Sequence, residues 1–453
     1  MSYESDLSLA RELAVRVHDA GGSVYFVGGC VRDNLTNTPC KDIDLEVYGV
    51  TPTRLRAILA ELGDIVEKGA SFGVLGLRHS DLDIAMPRTE RQTGAKHRDF
   101  DVSVDPFLTT KEASRRRDFT VNAMMRDVLT GALIDHWGGQ RDLQNRVIRC
   151  VSADTFPEDA LRVFRAAQFA ARFDAAVEPD TLALCRSIDV TSLARERVFD
   201  ELRKALLKAD KPSIFFRTLR KMDHLKEFFP EIEACIGVVQ SPVYHPEGDV
   251  FEHTMLVVDC AASLRERAKE PLSFLLSALL HDLGKCVATT VAEDGRVTSH
   301  GHETLGLPLV ERQLKRLTNE TELIRTVLNH TALHMRPNML ASRQSRKART
   351  RAMFDLSVCP EDLILLSRAD ASGKLDQPYD PAYEVWLNER LADYREMLTH
   401  PMIDGKQLIE AGVKPGPGLG KMLRRARQLH FAGIQPKLVL KQILAEERAG
   451  RFD

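Results

Sequence analysis

The spacing of apolar residues changes near residue 146, and that change limits the chain to a mixed head followed by a helical body. Residues 1 to about 145 carry short β-branched and aromatic runs, SVYFV (23–27), DIDLEV (42–47), FGVLGL (72–77), LDIAM (82–86) and ALIDHW (132–137), among helical stretches. From about 146 onward apolar residues recur at helical spacing, as in EDALRVFRAAQFAARF (158–173), RVFDELRKALLKAD (197–210) and FFRTLRKMDHLKEFF (215–229). The expected fold class is α+β, a small α/β head before a mainly helical remainder. A Pro/Gly-marked break at 238–251 precedes a helix expected to open near His253, and a second break is expected at 334–350. Length suggests about three domains, and the pattern divides the chain into 1–145, 146–237, 238–345 and 346–453.

A hydrophobic share of 43% and a charged share of 28% describe a soluble globular protein, and the net charge of -2 gives no global basic field. Nucleic-acid binding must then come from local patches. Residues 1–22 have no basic stretch followed by an apolar core, so no secretion signal is expected. The apolar run PLSFLLSALLHDLGK (271–285) is too short and too closely flanked by charge to span a bilayer. Eight cysteines, at 30, 40, 150, 185, 235, 260, 286 and 359, form no CxxC pair and suit a reducing cytosol. A cytoplasmic protein without a membrane partner is expected.

In FVGGCVRDNL (26–35) a strand runs into Gly28-Gly29 and then a helix start, an arrangement that turns backbone N–H groups toward an anion such as a triphosphate. Arg32 adds a charge with bidentate geometry. From these residues alone a plain turn is the commoner reading. Asp42 and Asp44 share one face of the next strand, about 6.5–7 Å apart, where two carboxylates either face solvent or grip cations shared with phosphate oxygens.

VGGCVRD (27–33), KDIDLEV (41–47) and RRRDFTVNAM (115–124), followed by DHWGGQRDL (135–143) and EDALRVFRAAQFAARF, resemble the CCA-adding enzyme (tRNA nucleotidyltransferase) and bacterial poly(A) polymerase family in order and spacing. The resemblance implies a polymerase beta-like nucleotidyltransferase head over 1–145. Gly28, Gly29, Arg32 and Arg117 would then contact the nucleotide, and Asp42 and Asp44 would be the catalytic carboxylates holding Mg²⁺. Asp83 is the candidate for a third carboxylate, a solvated strand position being the alternative. The family reaction joins an RNA 3′-hydroxyl to the α-phosphorus of the nucleotide with loss of pyrophosphate, driven by positioning and charge neutralisation.

Asp159 and Arg162, three apart, are expected on one helical face. Asp only accepts and Arg only donates, so the pair complements the amino and ring-nitrogen edge of cytosine and adenine. Guanine and uracil present carbonyls there, leaving buried polar groups unpaired at about 1–3 kcal/mol each. An ordinary surface ion pair is the alternative. Arg165 also falls where the family places a nucleotide-contacting arginine; Gln168 stands where some relatives have a basic residue, and Glu158 is expected at the helix start.

FEHTMLVV (251–258), LLHDLGK (279–285), SHGHETLG (299–306) and VLNHTALH (327–334) place histidines around one His-Asp doublet and resemble the HD phosphohydrolase motif. His253, His281, Asp282, His302 and His330 are the expected ligands, with His300 and His334 as alternatives and Lys285 as a phosphate contact. Mixed imidazole and carboxylate donors suit Mn²⁺, Fe, Ni²⁺ or Mg²⁺. The resemblance implies phosphatase, 2′-nucleotidase or 2′,3′-cyclic phosphodiesterase chemistry, or a helical body that only shapes the RNA cradle.

The helical neck (146–237) carries a locally basic segment, 194–227, which reads as an RNA contact or a solvated face. The segment 403–430 resembles a C-terminal element of many bacterial members and implies a contact with the tRNA elbow. The expected partners are tRNA, CTP and ATP, and no DNA. Poly(A) polymerase, a CC- or A-adding enzyme, and an HD hydrolase with a vestigial head are the competing readings.

Overall fold

A computed structural model of the chain describes residues 3–36, 38, 42–68, 74–92, 100–376, 378–400 and 402–452. Cys40 and the start of the expected 72–77 strand lie outside them. Two compact units form, Met1–Leu193 with Lys221–His224, and Ala194–Arg220 with Leu225–Asp453.

The first unit is built on a mixed seven-stranded sheet. In chain order its strands are β1 (Ser23–Val27), β2 (Ile43–Tyr48), β3 (Ile65–Glu67), β4 (Leu75–Leu77) and β5 (Leu82–Ala85). A separate hairpin, β6 (Arg88–Gln92) and β7 (Phe100–Val104), precedes β8 (Met125–Asp127) and β9 (Leu133–Ile134). The spatial order is β3-β4-β5-β2-β1-β8-β9. β2 and β5 run parallel and set Asp44 opposite Asp83; β1 is antiparallel to both β2 and β8.

Period-2 alternation decides which face of β2 is wet. Ile43, Leu45 and Val47 are buried against Leu13, Val17, Leu55 and Leu59 of helices Tyr3–Asp19 and Pro52–Leu62. Asp42, Asp44 and Glu46 therefore emerge together on the opposite face. The expected ALIDHW strand is only two residues long because the Asp135 carboxylate accepts the N–H groups of Gly139 and Gln140 at 2.8 and 2.9 Å, starting a helix.

The helix expected from Glu158 begins instead at Arg162 and ends at Phe173. Pro157 sits in a 3₁₀ turn, Phe156–Glu158, and the Asp159 carboxylate accepts the Leu161 N–H at 3.1 Å, which holds Asp159 in extended backbone. Asp159 and Arg162 thus do not share a helical face; the aspartate lies just ahead of the helix.

The second unit is helical. Helix Pro271–Leu280 lies at its centre with residues 273–280 all buried, and Val250–Leu264, Thr321–Leu333 and Pro360–Ser372 pack around it. The Asp362 carboxylate accepts the N–H groups of Lys269 and Glu270 at 2.7 and 2.9 Å, which supplies negative charge where that helix starts. Among the described residues, Pro271–Ala288 is the one stretch long and apolar enough to cross a membrane, and 78% of it is buried inside the protein, as a core helix would be. The expected break at 334–350 is mostly helix, Met335–Ser342 and Lys347–Leu356. Pro337 falls in a first turn, where no N–H is required of it, and the chain reverses at Gln344 with φ 44°. A Gly-Pro turn leads into helix Pro417–Phe431, with helix Pro436–Arg448 packed on it.

Candidate functional site

In the first unit, Asp44 and Asp83 are cross-strand partners and Asp42 precedes Asp44 by two residues. Burial raises the Asp44 carboxyl above its ordinary range, and Asp83 and Asp42 add to this against the pull of Arg117 and Lys68. Lys68 Nζ donates to Asp83 Oδ1 at 2.8 Å. Carboxylates placed on one face like this repel one another, and a hard cation such as Mg²⁺ bound there would relieve that repulsion.

Gly28 forms the floor beside them. Its φ of 67° favours glycine, and a Cβ there would lie 3.6 Å from both Arg117 Nη1 and Asp44 Oδ2. Gly29 starts the helix Gly29–Leu35 and lies against Arg32 Nη2. Arg117 also approaches Glu46 Oε1 at 3.6 Å, and Glu46 accepts the Tyr48 hydroxyl at 2.7 Å. Glu46 was legible as the third member of the period-2 face, yet its partnership with Arg117 needs the fold.

Arg32 is 3% exposed. Its Nε and Nη2 donate to Asp33 Oδ1 at 2.8 and 2.7 Å, Nη1 donates to Asn122 Oδ1, and its guanidinium lies 5.2 and 5.0 Å from the rings of Phe169 and Phe173. Asn122 Nδ2 in turn donates to Asp118 Oδ1 at 3.0 Å, and Arg165 donates to Asp118 Oδ2 from Nε at 2.7 Å. Arg172 closes the other end on Asp33 Oδ2 at 3.0 Å. One chain of charge-assisted bonds therefore runs Arg172, Asp33, Arg32, Asn122, Asp118, Arg165. Burial opposes ionisation of Asp118, yet Arg165, Asn122 and the Phe119 N–H outweigh it and hold the carboxyl below its ordinary value.

RRRDF is joined to 154–165 through Arg115, Arg116 and Asp118. Arg115 pairs with Asp154 and Arg116 with Glu158, each at 2.6 Å. Arg162 donates to the carbonyls of Thr155 and Arg116 at 2.7 and 2.8 Å, with Phe156 beneath its guanidinium at 5.8 Å. Glu158 is thus a partner of Arg116, and Gln168 is buried in the helix. Asp33, Asp118 and Asn122 were not anticipated; their signal was polar residues inside the VGGCVRD and RRRDFTVNA runs.

In the second unit, Asp282 sits just past the end of the central helix, where His281 is the cap residue. Asp282 Oδ2 lies 3.2 Å from His281 Nε2, 3.6 Å from His253 Nε2 and 2.6 Å from Lys285 Nζ; Oδ1 lies 3.1 Å from His302 Nε2 and 3.7 Å from His334 Nε2. Asp370 Oδ1 lies 3.2 Å from His253 Nε2 and 3.8 Å from His281 Nε2. Gly284 makes this possible: a Cβ there would be 1.9 Å from the His302 carbonyl, so only glycine lets that backbone pack against HDLGK.

Burial depresses His281, but Asp282 and Asp370 reverse the effect and its imidazole rises above the usual value; burial with neighbouring His281 brings His334 down to about 3. Burial likewise opposes ionisation of Asp282 and Asp370, but the surrounding imidazoles and lysines hold both carboxyls well below the ordinary range. Against the pull of burial, Asp282 also draws the His302 imidazole above its usual value, and a divalent cation bound here would compete with protons for the same ring nitrogens. The donor types suit a transition dication.

Of the expected ligands, His253, His281, Asp282 and His302 meet. His330 does not: its Nδ1 is 3.1 Å from Ser277 Oγ and its Nε2 donates to the Cys359 carbonyl at 3.3 Å, so it is a buried packing residue on helix Thr321–Leu333. One helical turn on, His334 takes the place assigned to it, and His300 lies at an exposed loop position. Asp370 was missed; its signal was an acidic residue in the buried run LILLSRADAS. Lys285 Nζ also donates to Gln240 Oε1 at 2.7 Å.

Three family models match: the poly A polymerase head domain over residues 24–149, the probable RNA and SrmB-binding site of polymerase A over 176–236, and the HD domain over 250–372. The multifunctional CCA protein of Alkalilimnicola ehrlichii is 37% identical over 427 residues, 91% of this chain and 97% of that protein. That of Pseudomonas aeruginosa is 36% identical over 423 residues, 89% and 96% of the two chains. The fold is shared with the Bacillus stearothermophilus CCA-adding enzyme in complex with CTP, at a TM-score of 0.64 and 19% identity over 100% of this chain and 99% of that one. The Thermotoga maritima CCA-adding enzyme complexed with tRNA superposes at 0.61 and 21% identity, over 98% and 96%. With identity above a third sustained over nine-tenths of its length, the chain belongs to the multifunctional CCA protein family.

Proposed function

We infer that this protein is a template-independent RNA nucleotidyltransferase that adds or repairs the 3′-terminal CCA of tRNA from CTP and ATP. The observation that carries the reading is near full-length likeness to multifunctional CCA proteins, in a chain whose head keeps Asp42 and Asp44 beside Gly28 and Arg117.

In this reading Asp42 and Asp44, with Asp83 on the neighbouring strand, hold Mg²⁺. The metal, when bound, lowers the pKa of the RNA 3′-hydroxyl and neutralises the leaving pyrophosphate. Gly28 leaves the backbone bare for a phosphate and Arg117 supplies a fixed positive charge beside it. Asp159 and Arg162 select cytosine and adenine by their amino edge, Arg162 being pre-oriented by the carbonyls of Thr155 and Arg116. Arg165 acts from one end of the buried network and Arg32 from its middle, and the network keeps the base-selecting segment in register with the glycine turn at Gly28-Gly29.

We divide the chain into a nucleotidyltransferase head (1–145), a helical neck with RNA-binding surface (146–237), an HD domain (238–345) and a helical tail (346–453) that contacts tRNA. Asp370, in the last segment, works with the HD residues. The HD centre holds a divalent metal and serves as a phosphohydrolase for phosphate esters, with Lys285 against the phosphate. The site of action is the cytoplasm.

The test is extension of tRNAs lacking one, two or three 3′ nucleotides, with each nucleoside triphosphate in turn. CTP incorporation at the first two positions and ATP at the third are expected. ATP runs on any RNA would replace the reading with poly(A) polymerase, and a strict stop after CC or a requirement for CC would replace it with a partial adding enzyme.

A further inference from the structure

We propose that Cys235 and Cys286 are a peroxide-sensitive thiol pair, which a single disulfide converts into a tether within the second unit. The eight cysteines contain no CxxC spacing, so the fold alone makes this pair, 51 positions apart, with the two Sγ atoms at 3.0 Å. Cys235 is 1% exposed and follows the short helix Pro230–Glu233. Cys286 is half-buried on Lys285–Ala288, next to Val287, which is open to solvent.

The two thiols are unequal. By donating toward its partner, Cys235 holds the Cys286 thiol below its ordinary value against burial, and the same contact together with burial raises Cys235. The thiolate is the nucleophile and needs access, so peroxide meets Cys286 first, with Cys235 behind it. Cys185, which feels the charge of Cys150, is fully buried, and burial pushes it up to about 12.

In the first step the Cys286 thiolate attacks a peroxide oxygen. An S–O bond forms, the O–O bond breaks, and hydroxide leaves, taking a solvent proton to become water. Cys235 sulfur then attacks Cys286 sulfur: the S–S bond forms, the S–O bond breaks, and the departing hydroxide takes the Cys235 proton as the second water. Two thiols give up two electrons and the peroxide accepts them.

The bond joins segments that the fold already holds side by side. The Cys235 carbonyl accepts the N–H groups of Val238 and Phe251, each at 3.3 Å, and the Gly237 N–H donates to Asp249 Oδ2 at 2.6 Å. Gln240 Oε1 accepts Lys285 Nζ at 2.7 Å while its Nε2 donates to the Asp249 carbonyl at 3.1 Å. A disulfide of about 2.05 Å asks the sulfurs to close by only about 1 Å, so neither segment has to unfold. In a reducing compartment such a bond is transient, formed by oxidant and reopened by thiol exchange.

The test exposes the full-length protein, in buffer with a chelator, to a small excess of hydrogen peroxide and counts thiols in denaturant. A fall from eight to six is expected, with one cross-linked peptide pair carrying Cys235 and Cys286 and full reversal by dithiothreitol. The oxidised form should melt several degrees higher, because the link constrains the unfolded chain. Cys286→Ala should keep all its thiols. Cys235→Ala, lacking the second sulfur, should accumulate a sulfenic acid at Cys286 that dimedone traps, well above the parent. Eight thiols retained, a cross-link that excludes either residue, or Cys286 driven to sulfinic acid beside an intact Cys235 thiol would each refute the pair, and an oxidised form that melts with the reduced one would refute the tether. Cys235→Ala empties a buried position; if it does not fold, the parent and Cys286→Ala decide alone.

Discussion

Asp118→Asn tests whether the buried network holds the two halves of the nucleotide site together. Asp118 accepts four bonds: Arg165 Nε and Nη2 at 2.7 and 2.6 Å, Asn122 Nδ2 at 3.0 Å and the Phe119 N–H at 2.8 Å. Asparagine keeps one acceptor oxygen and turns an NH₂ toward a side already occupied by donors. Charge-assisted bonds contribute about 1.5–3 kcal/mol each, but the Arg165 side chain is 31% exposed and partly screened. A net loss of about 2–3 kcal/mol in the first unit is therefore expected, below the about 3–5 kcal/mol of breaking a fully buried ion pair because of that screening. Trp137, whose Nε1–H donates to Ser114 Oγ at 2.9 Å, reports unfolding of this unit in a Trp386→Phe background. Freed Arg165 should also weaken CTP and ATP binding by about tenfold, or 1.4 kcal/mol, read by calorimetric titration. The folded-state pKa of Asp118 is depressed, so its stabilisation is full above the unfolded carboxylate value of about 3.9 and fades as pH falls through the folded value. The gap between parent and variant should close in that acid window. Unchanged nucleotide affinity and unchanged stability at neutral pH would refute the network's role.

Other perturbations separate the two centres. Asp44→Asn should abolish CTP and ATP incorporation in the tRNA extension assay while leaving phosphate-ester hydrolysis at the HD centre intact. Gly28→Ala, at φ 67°, should cost about 1–2 kcal/mol of backbone strain and reduce incorporation more than tenfold, since the methyl group enters beside Arg117 and Asp44. Gly284→Ala should lower Mn²⁺ content by pushing the His302 backbone off Asp282, measured by elemental analysis of the folded protein. His330→Ala should lower the melting temperature of the second unit yet leave its metal content unchanged, because both ring nitrogens serve packing.

Much of the head was legible because its signals are local. Period-2 alternation in IDLEVY separates a buried Ile43, Leu45, Val47 face from a carboxylate face whatever surrounds it. The helix expected from Glu158 failed at its boundary, where the Asp159 side chain competes for the Leu161 N–H, and the break expected at 334–350 is mostly helix because its proline falls in a first turn, where helix tolerates it. In the HD centre, VLNHTALH offers two histidines four residues apart on one helix. Their spacing is the same for either assignment, so it does not say which one reaches the metal donors.

What the linear order of residues determined by itself was therefore the inventory of chemistry and its local geometry: a glycine turn, alternating aspartates, a basic run, a His-Asp doublet at the end of an apolar helix. Tertiary structure decided the partnerships. Asp83 joins Asp44 through parallel pairing of β2 with β5, Asp370 reaches His253 across 117 positions, and Arg165 meets Asp118 across 47. Periodicity is a property of neighbours along the chain, whereas a charge is neutralised by whichever group packing brings within about 3 Å, and only the fold sets that distance.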